Sequence, residues 1–282
     1  MQVITDICSL RQAINGLKKN GQVISLVPTM GCFHEGHLAL MRYARGISDV
    51  LVISIFVNPT QFGPNEDFKA YPRNLKRDIE LASEVGVDLI FAPEPEEMYP
   101  IDFLTFVSVE KLTKYLCGKS RPTHFRGVCT VVLKLFNICQ PDIAVFGEKD
   151  WQQLVIIKQM VRDLNVPVQI KSYPIVRESD GLAMSSRNVY LTPEERKQAS
   201  GIYQGLCLAQ KLVARGVREG LALKNRLIDF YARNIPLGKI DYLELVHPYR
   251  LEPVTEVKDK TLLAVAMYVG QARLIDNILL EP

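Results

Sequence analysis

Residues 49–57 read DVLVISIFV, apolar at every position except Asp49 and Ser54. A strand without polar alternation is buried on both faces, which points to a parallel sheet covered by helices on each side. Similar β-rich runs recur as QVISLVP (22–28), VDLIFAP (87–93), FLTFVSV (103–109), DIAVFG (142–147) and VPVQIKSYPIV (166–176). Between them the apolar spacing turns helical. Ile7, Leu10, Ile14 and Leu17 share one face before Gly21, and a helix is expected from about Gly36 to Ser48. Further helices run through Leu75, Ile79, Ala82 and Val85, through Val128, Val131, Leu135 and Ile138 before Pro141, and along WQQLVIIKQMVRDL. This order predicts an α/β fold, a doubly wound parallel Rossmann-like sheet.

Beyond residue 187 the pattern changes. Thr192 is placed to cap a long helix with Pro193 in its first turn, and a second helix follows from Leu221 to Tyr231. YLELVH, TLLAVAMYV and ARLIDNILL then read as a small antiparallel sheet. The expected division is therefore a Rossmann-like domain over 1–187 and a smaller C-terminal α+β domain over 188–282, with no internal repeat and no long linker.

Composition narrows the function classes. The 34 basic and 31 acidic residues leave +3, too little for a nucleic-acid surface. The longest apolar runs are strand-sized, too short to cross a bilayer. The first twenty residues, broken by Asp6, Arg11 and lysines, lack the apolar core of a signal peptide. Six cysteines without a CxxC pair read as buried thiols in a reducing compartment. The expectation is a cytoplasmic protein with no nucleic-acid or membrane partner.

In open α/β sheets ligands bind beyond the carboxyl ends of the strands. Three such ends carry unusual loops: PTMGCFHEGH (28–37), NPTQFGPNEDF (58–68) and GEKDWQQ (147–153). In the first, Gly31 and Gly36 permit close backbone approach, and the helix starting there offers free N–H groups to an anion. His34 and His37, three apart, can face the same anion. Two other readings stay open. One is a structural pair at a helix start. The other is a metal site, although HEGH lacks the i, i+4 spacing and only His124 and His247 remain as histidine donors.

Lys149 can act as a point charge on phosphate and Asp150 can accept ribose hydroxyls; equally, Asp150 can cap a helix at Trp151 while Lys149 stays solvated. In DGLAMSSRN (180–188), Ser185, Ser186 and Arg187 suit phosphate oxygens, or are ordinary loop residues. Gln61 and Gln153 can orient a polar small molecule if buried. Arg126 in HFRGV is another candidate anion contact.

Together these residues carry a resemblance. PTMGCFHEGH contains the HxGH signature of the nucleotidylyltransferase superfamily, and MSSRN stands where its members have a KMSKS-like loop. The ordered blocks PTMGCFHEGH, FVNPTQF, YPRNLKRD, HFRGV, FGEKDWQQL and DGLAMSSRNVYL resemble the pantothenate synthetase (pantoate–β-alanine ligase) family over nearly the whole chain. The resemblance implies a two-step ligation: pantoate attacks the α-phosphorus of MgATP to give pantoyl adenylate and pyrophosphate, and β-alanine then displaces AMP to give pantothenate. It implies ATP contacts from Met30, Gly31, His34, His37, Gly147, Lys149, Asp150, Val176, Met184, Ser185, Ser186 and Arg187. His37, His34, Lys149 and Arg187 would be catalytic, with the histidines stabilising charge. Gln61 and Gln153 would hold pantoate, with Asn58 nearby. Mg²⁺ would be held mainly by ATP phosphates, with Asp78 a candidate carboxylate one layer behind. The first domain would bind nucleotide and pantoate, the C-terminal domain would cover the site, and the chain would form a homodimer.

Cys32 and Phe33 stand where the family often has Ala and Leu, and Trp151 where Tyr is common; none removes a functional group. Rival readings are a nucleotidylyltransferase that leaves AMP on its substrate and a non-catalytic nucleotide-binding module.

Overall fold

Six strands pair side by side in one all-parallel sheet, and five of them lie on the β-rich runs of the sequence. The computed structural model describes residues 1–64 and 66–282, divided into two compact units. The first unit comprises Met1–Thr113, Arg121–Glu148 and Gln153–Pro174; the second comprises Lys114–Ser120, Lys149–Gln152 and Ile175–Pro282. In chain order the elements up to residue 173 are β1 (Gln2–Ile4), α1 (Ile7–Lys19), β2 (Ile24–Thr29), α2 (Glu35–Arg45), β3 (Val50–Ile55), α3 (Leu75–Val85), β4 (Leu89–Phe91), α4 (Pro95–Met98), α5 (Leu116–Ser120), α6 (His124–Cys139), β5 (Ile143–Gly147), α7 (Trp151–Asp163) and β6 (Gln169–Tyr173).

The strand order β1-β4-β3-β2-β5-β6 places β2 between β3 and β5. β2 runs in register with β3 from Ile24↔Val50 to Thr29↔Ile55, and meets β5 at Ser25↔Ile143. The winding reverses at β2, so the carboxyl ends of β2, β3 and β5 form the switch point where such sheets bind ligands. Val27, Leu51 and Ile53 are fully buried, and α2 packs Leu38, Met41 and Ala44 into the same core. The ends of the elements follow local chemistry. Asp6 caps α1 through the Ser9 N–H, Asn74 caps α3 through the Arg77 N–H, and Gly86 ends α3 in the left-handed region.

The second unit adds α8 (Pro193–Ala199), α9 (Gly201–Ala214), α10 (Gly220–Asn234), β7 (Gly238–Val246), β8 (Thr261–Val269) and β9 (Ala272–Leu280). β7, β8 and β9 form the expected antiparallel sheet, with an irregularity between Ile240 and Tyr242. Leu206, Leu223, Leu227 and Tyr231 from α9 and α10 share a core with Leu263, Val265 and Leu274. The buried Tyr231 hydroxyl donates to the Ile202 carbonyl at 3.0 Å.

Several expectations need correction. FLTFVSV forms no strand: residues 103–109 run without regular structure. They are tied instead to α6, where the Val107 N–H donates to Thr130 Oγ1 at 3.0 Å and Arg126 and Lys134 lie over the Phe106 and Phe103 rings. Edge strand β1, which the periodicity did not suggest, pairs with β4. The long helix after Thr192 is two helices interrupted at Ser200, although Thr192 caps the first in a reciprocal box with Glu195. Buried thiols hold for Cys117, Cys129 and Cys139 only; Cys8 is exposed and Cys32 and Cys207 are half-buried. Burial pushes the Cys129 and Cys139 thiols up to about 12, which leaves them unreactive. Among the described residues no helix is long and apolar enough to cross a membrane.

Candidate active site

The loop leaving β2 turns through two left-handed residues, Gly31 at φ 81° and Cys32 at φ 53°. A Cys there is costly unless the surroundings hold it. Asp78, on α3 and 2% exposed, does so: its two oxygens accept the N–H groups of Cys32 at 2.9 Å and Phe33 at 2.7 Å. A Cβ on residue 31 would come within 2.8 Å of Asp78 Oδ2, so the close approach requires glycine. Burial pushes the Asp78 carboxyl above its ordinary range, and the two amides pull it back in part.

The clamp delivers the chain to His34, the N-cap of α2. His34 Nδ1 accepts the Gly36 N–H at 3.1 Å, and His37 Nδ1 accepts the His34 N–H at 3.4 Å. This is a capping box built from two histidines. Because both Nδ1 atoms accept, each neutral ring carries its proton on Nε2, a donor for an anion. The ring centroids lie 4.0 Å apart. The structural-pair reading and the anion reading are thus compatible: Nδ1 makes the cap, and the proton on Nε2 suits an anion.

On the neighbouring strand end, Asn58 is 1% exposed and Gln61 9%. Asn58 Nδ2 donates to Gln61 Oε1 at 3.2 Å and to the Gly127 carbonyl at 3.1 Å, while its Oδ1 accepts from Thr60 N–H and Oγ1. Asn58 is thereby a brace for Gln61. Gln61 Nε2 reaches Met30 Sδ at 3.0 Å, joining the β2 and β3 loops. Gly127 in HFRGV is required because a Cβ there would strike the Thr60 carbonyl and lie 2.6 Å from Gln61 N. Gly147 ends β5 at the same sheet edge, and Gln153 lies in the first turn of α7. Arg126, the other anion candidate, is exposed with its guanidinium 4.4 Å from the Phe106 ring centroid.

The remaining predicted residues belong to the second unit. Lys149 and Asp150 lie in a 3₁₀ turn, Glu148–Asp150, that runs directly into α7; Lys149 is half-buried and Asp150 exposed. Val176 and Met184 face each other across a small hairpin, with the Met184 N–H donating to the Val176 carbonyl at 3.0 Å. Ser185 then caps the 3₁₀ turn Ser186–Tyr190 by accepting the Arg187 N–H at 3.2 Å. Arg196 holds the hairpin from below by pairing with Glu178 at 2.7 Å and Asp180 at 2.6 Å.

Three residues bear on Gln61 in a way the sequence did not suggest: Arg121 and Glu66 were given no role there, and His124 was weighed only as a metal donor. Arg121 Nη2 donates to the Gln61 carbonyl at 3.2 Å, His124 Nδ1 donates to the same oxygen at 2.9 Å, and Glu66 pairs with Arg121. The RPTH segment carried a signal only in its basic residues, which nothing in spacing linked to residue 61. Among the described residues no group of three or more His, Cys, Asp or Glu could hold a metal ion. Both Asp78 oxygens accept backbone amides, which makes it a clamp of the loop.

The comparisons with known proteins agree with one another. A family model described as pantoate-beta-alanine ligase matches residues 2–279. The chain is 53% identical over 280 residues to the pantothenate synthetase of Nitratidesulfovibrio vulgaris (strain DSM 19637 / Miyazaki F), covering 99% of each. It superposes on the crystal structure of pantothenate synthetase from Thermus thermophilus with TM-score 0.94 and 46% identity, covering all of both chains. The pantoate-beta-alanine ligase of Francisella tularensis, crystallised with beta-gamma ATP and beta-alanine, superposes with TM-score 0.82 and 35% identity, covering 99% of this chain and 97% of that one.

Proposed function

The chain belongs to the pantoate–β-alanine ligase family, and on that premise we propose that it joins (R)-pantoate to β-alanine with ATP, through pantoyl adenylate. A carboxylate oxygen of pantoate bonds to the α-phosphorus while the α–β bridging P–O bond breaks, and pyrophosphate leaves with the electron pair. The β-alanine amine then bonds to the activated carbonyl carbon. The bond from that carbon to the adenylate phosphate oxygen breaks, AMP leaves with the electron pair, and the amine gives up its proton to solvent.

A carboxylate nucleophile needs no general base, so the work of the site is to stabilise charge. The observation that carries the reading is the histidine capping box at the start of α2, beside the ends of β3 and β5. It supports two Nε2–H donors and a helix N-terminus for the phosphates. Lys149 and Arg187 supply further positive charge, and Gly147, Asp150, Val176, Met184, Ser185 and Ser186 contact the nucleotide. Gln61, braced by Asn58, and Gln153 bind pantoate and its partner amine. Mg²⁺, arriving with ATP, would be held mainly by the phosphate oxygens, as suits an ion that keeps much of its hydration.

The enzyme works in the cytosol as a homodimer in this reading. The buried thiols support the first point. The exposed apolar side chains Ile101, Leu104 and Phe106 support the second; light scattering giving the mass of one chain would end it. The test of the chemistry is pantoate-dependent exchange of labelled pyrophosphate into ATP without amine, followed by a β-alanine chase. Exchange followed by discharge into pantothenate and AMP is expected. An adenylate that β-alanine cannot discharge would instead identify an adenylyltransferase, and no exchange and no AMP release would leave a binding module.

A further inference from the structure

β9 carries two adjacent buried polar residues, Asp276 at 3% and Asn277 at 6% exposure. Consecutive strand residues point to opposite faces. Asp276 alternates with Leu274 and Leu280, which line the core shared with α9 and α10. There it receives both arms of Arg177, at 2.6 and 2.9 Å. The Arg177 guanidinium also lies 3.7 Å from the Tyr203 ring centroid. Arg177 opens the hairpin that leads to residues 184–187 and pairs across it with Ala183. On the other face, Asn277 Nδ2 donates to the Lys149 carbonyl at 3.0 Å. Asp276 Oδ1 accepts the Asn277 N–H at 2.8 Å, which locks the two residues together.

One dipeptide thus grips two segments far apart in sequence, and both are segments assigned to the nucleotide. Stability alone does not account for this choice. A buried ion pair is weak support for a fold, and well-packed apolar side chains serve as well or better in many cores. The rest of this face of β9 is aliphatic.

We propose that the Asp276–Asn277 step is a positioning element for adenylate formation, with Asn277 setting the main chain of Lys149 and Asp276 the base of the hairpin that presents residues 184–187. This rests on the reading that Lys149 and Arg187 act on the phosphates.

The test is the pantoate-dependent ATP–pyrophosphate exchange of Asn277→Ala, Lys149→Ala and the double variant, with folding followed by thermal melting. Asn277→Ala is expected to lower the exchange turnover about 10- to 100-fold, the scale of a displaced catalytic group, with the pantoate KM unchanged. In the Lys149→Ala background the same substitution is expected to cost little more, because its route is already removed. Asp276→Asn is scored in the same way against Arg187→Ala. Asn277→Leu, without a donor and close in volume, replaces the alanine variant if that one does not fold. A wild-type rate in the Asn277 variant, or a loss of equal size in both backgrounds, overturns the proposal. Wild-type exchange in Lys149→Ala overturns the assignment of Lys149 to the phosphates, and the proposal with it. An impaired Lys149→Ala beside an unimpaired Asn277→Ala overturns the proposal alone.

Discussion

The loops after β2 and β3 leave adjacent strands at one sheet edge, yet they are held by opposite means. The β2 loop is fixed through its main chain, by one buried carboxylate on two successive amides and by two histidines that cap α2. The β3 loop is fixed through side-chain amides and a shared carbonyl, with Asn58, Arg121 and His124 all bracing Gln61. Even the imidazoles differ: His34 and His37 accept at Nδ1, whereas His124 donates there. In the proposed function, the groups assigned to developing charge are set by a few short-range bonds, and a single change removes them. The Gln61 amide, assigned to pantoate in that proposal, is set by a distributed network that fails by degrees.

The sharpest break between the two is at His37. His37→Ala is expected to lower pantoate-dependent exchange by about 10²–10³, the scale of one lost donor to a charged transition state, with little change in pantoate KM. Gln61→Ala is expected to do the reverse, weakening pantoate by roughly 1–3 kcal/mol while ATP binding holds. Steady-state exchange kinetics with each substrate varied separate the two. If both variants shift the same parameter, the loops do not divide the labour.

A smaller effect tests the clamp itself. Asp78→Asn keeps the shape but turns an NH₂ group toward one of the two amides it now accepts. The expected cost is about 1–3 kcal/mol of stability, seen as a lower melting temperature, with a fall in exchange turnover and not in pantoate affinity. Unchanged exchange in a folded Asp78→Asn would show that the loop keeps its course without the carboxylate.

The two loops were also unequally legible in the sequence. The β2 loop announces itself because glycine, histidine and helix start must sit at fixed short spacing. The parallel sheet was legible for the same reason, since double burial leaves strands such as β3 almost wholly apolar. What holds Gln61 was not legible, because Arg121 and His124 meet it from 60 and 63 residues away. Asp78 was noticed as a carboxylate, but nothing in its local pattern says that its partners are the amides of Cys32 and Phe33. FLTFVSV misled because a β-rich composition records residue preference and not the presence of a strand partner. Its aromatic rings found the cations of α6 instead.

The mildest perturbation concerns the outer tie of the β3 loop. Burial pushes the Glu66 carboxyl up, but the hydrogen bond and charge of Arg121, aided by the Gly63 amide and the charge of His124, outweigh it and hold it below its ordinary 4.5. A carboxylate held low in the folded state binds fewer protons there than in the unfolded chain. Its stabilisation is therefore complete above pH 4.5 and is lost as the pH falls through the lowered value. The pair is only partly shielded, with side chains 14% and 25% exposed, so the expected cost of Glu66→Gln at pH 7 is about 1 kcal/mol. Thermal melts of wild type and variant should differ at neutral pH and converge as the pH drops below 4.5. At pH 7 the freed Arg121 should also loosen its hold on the Gln61 carbonyl, raising the pantoate KM by a small factor without touching exchange turnover. A melting gap that stays constant down to pH 3 would mean that Glu66 is not the charged partner of Arg121. A fall in turnover would mean that the β3 loop reaches into the charge-handling step, and the contrast with the β2 loop would be lost.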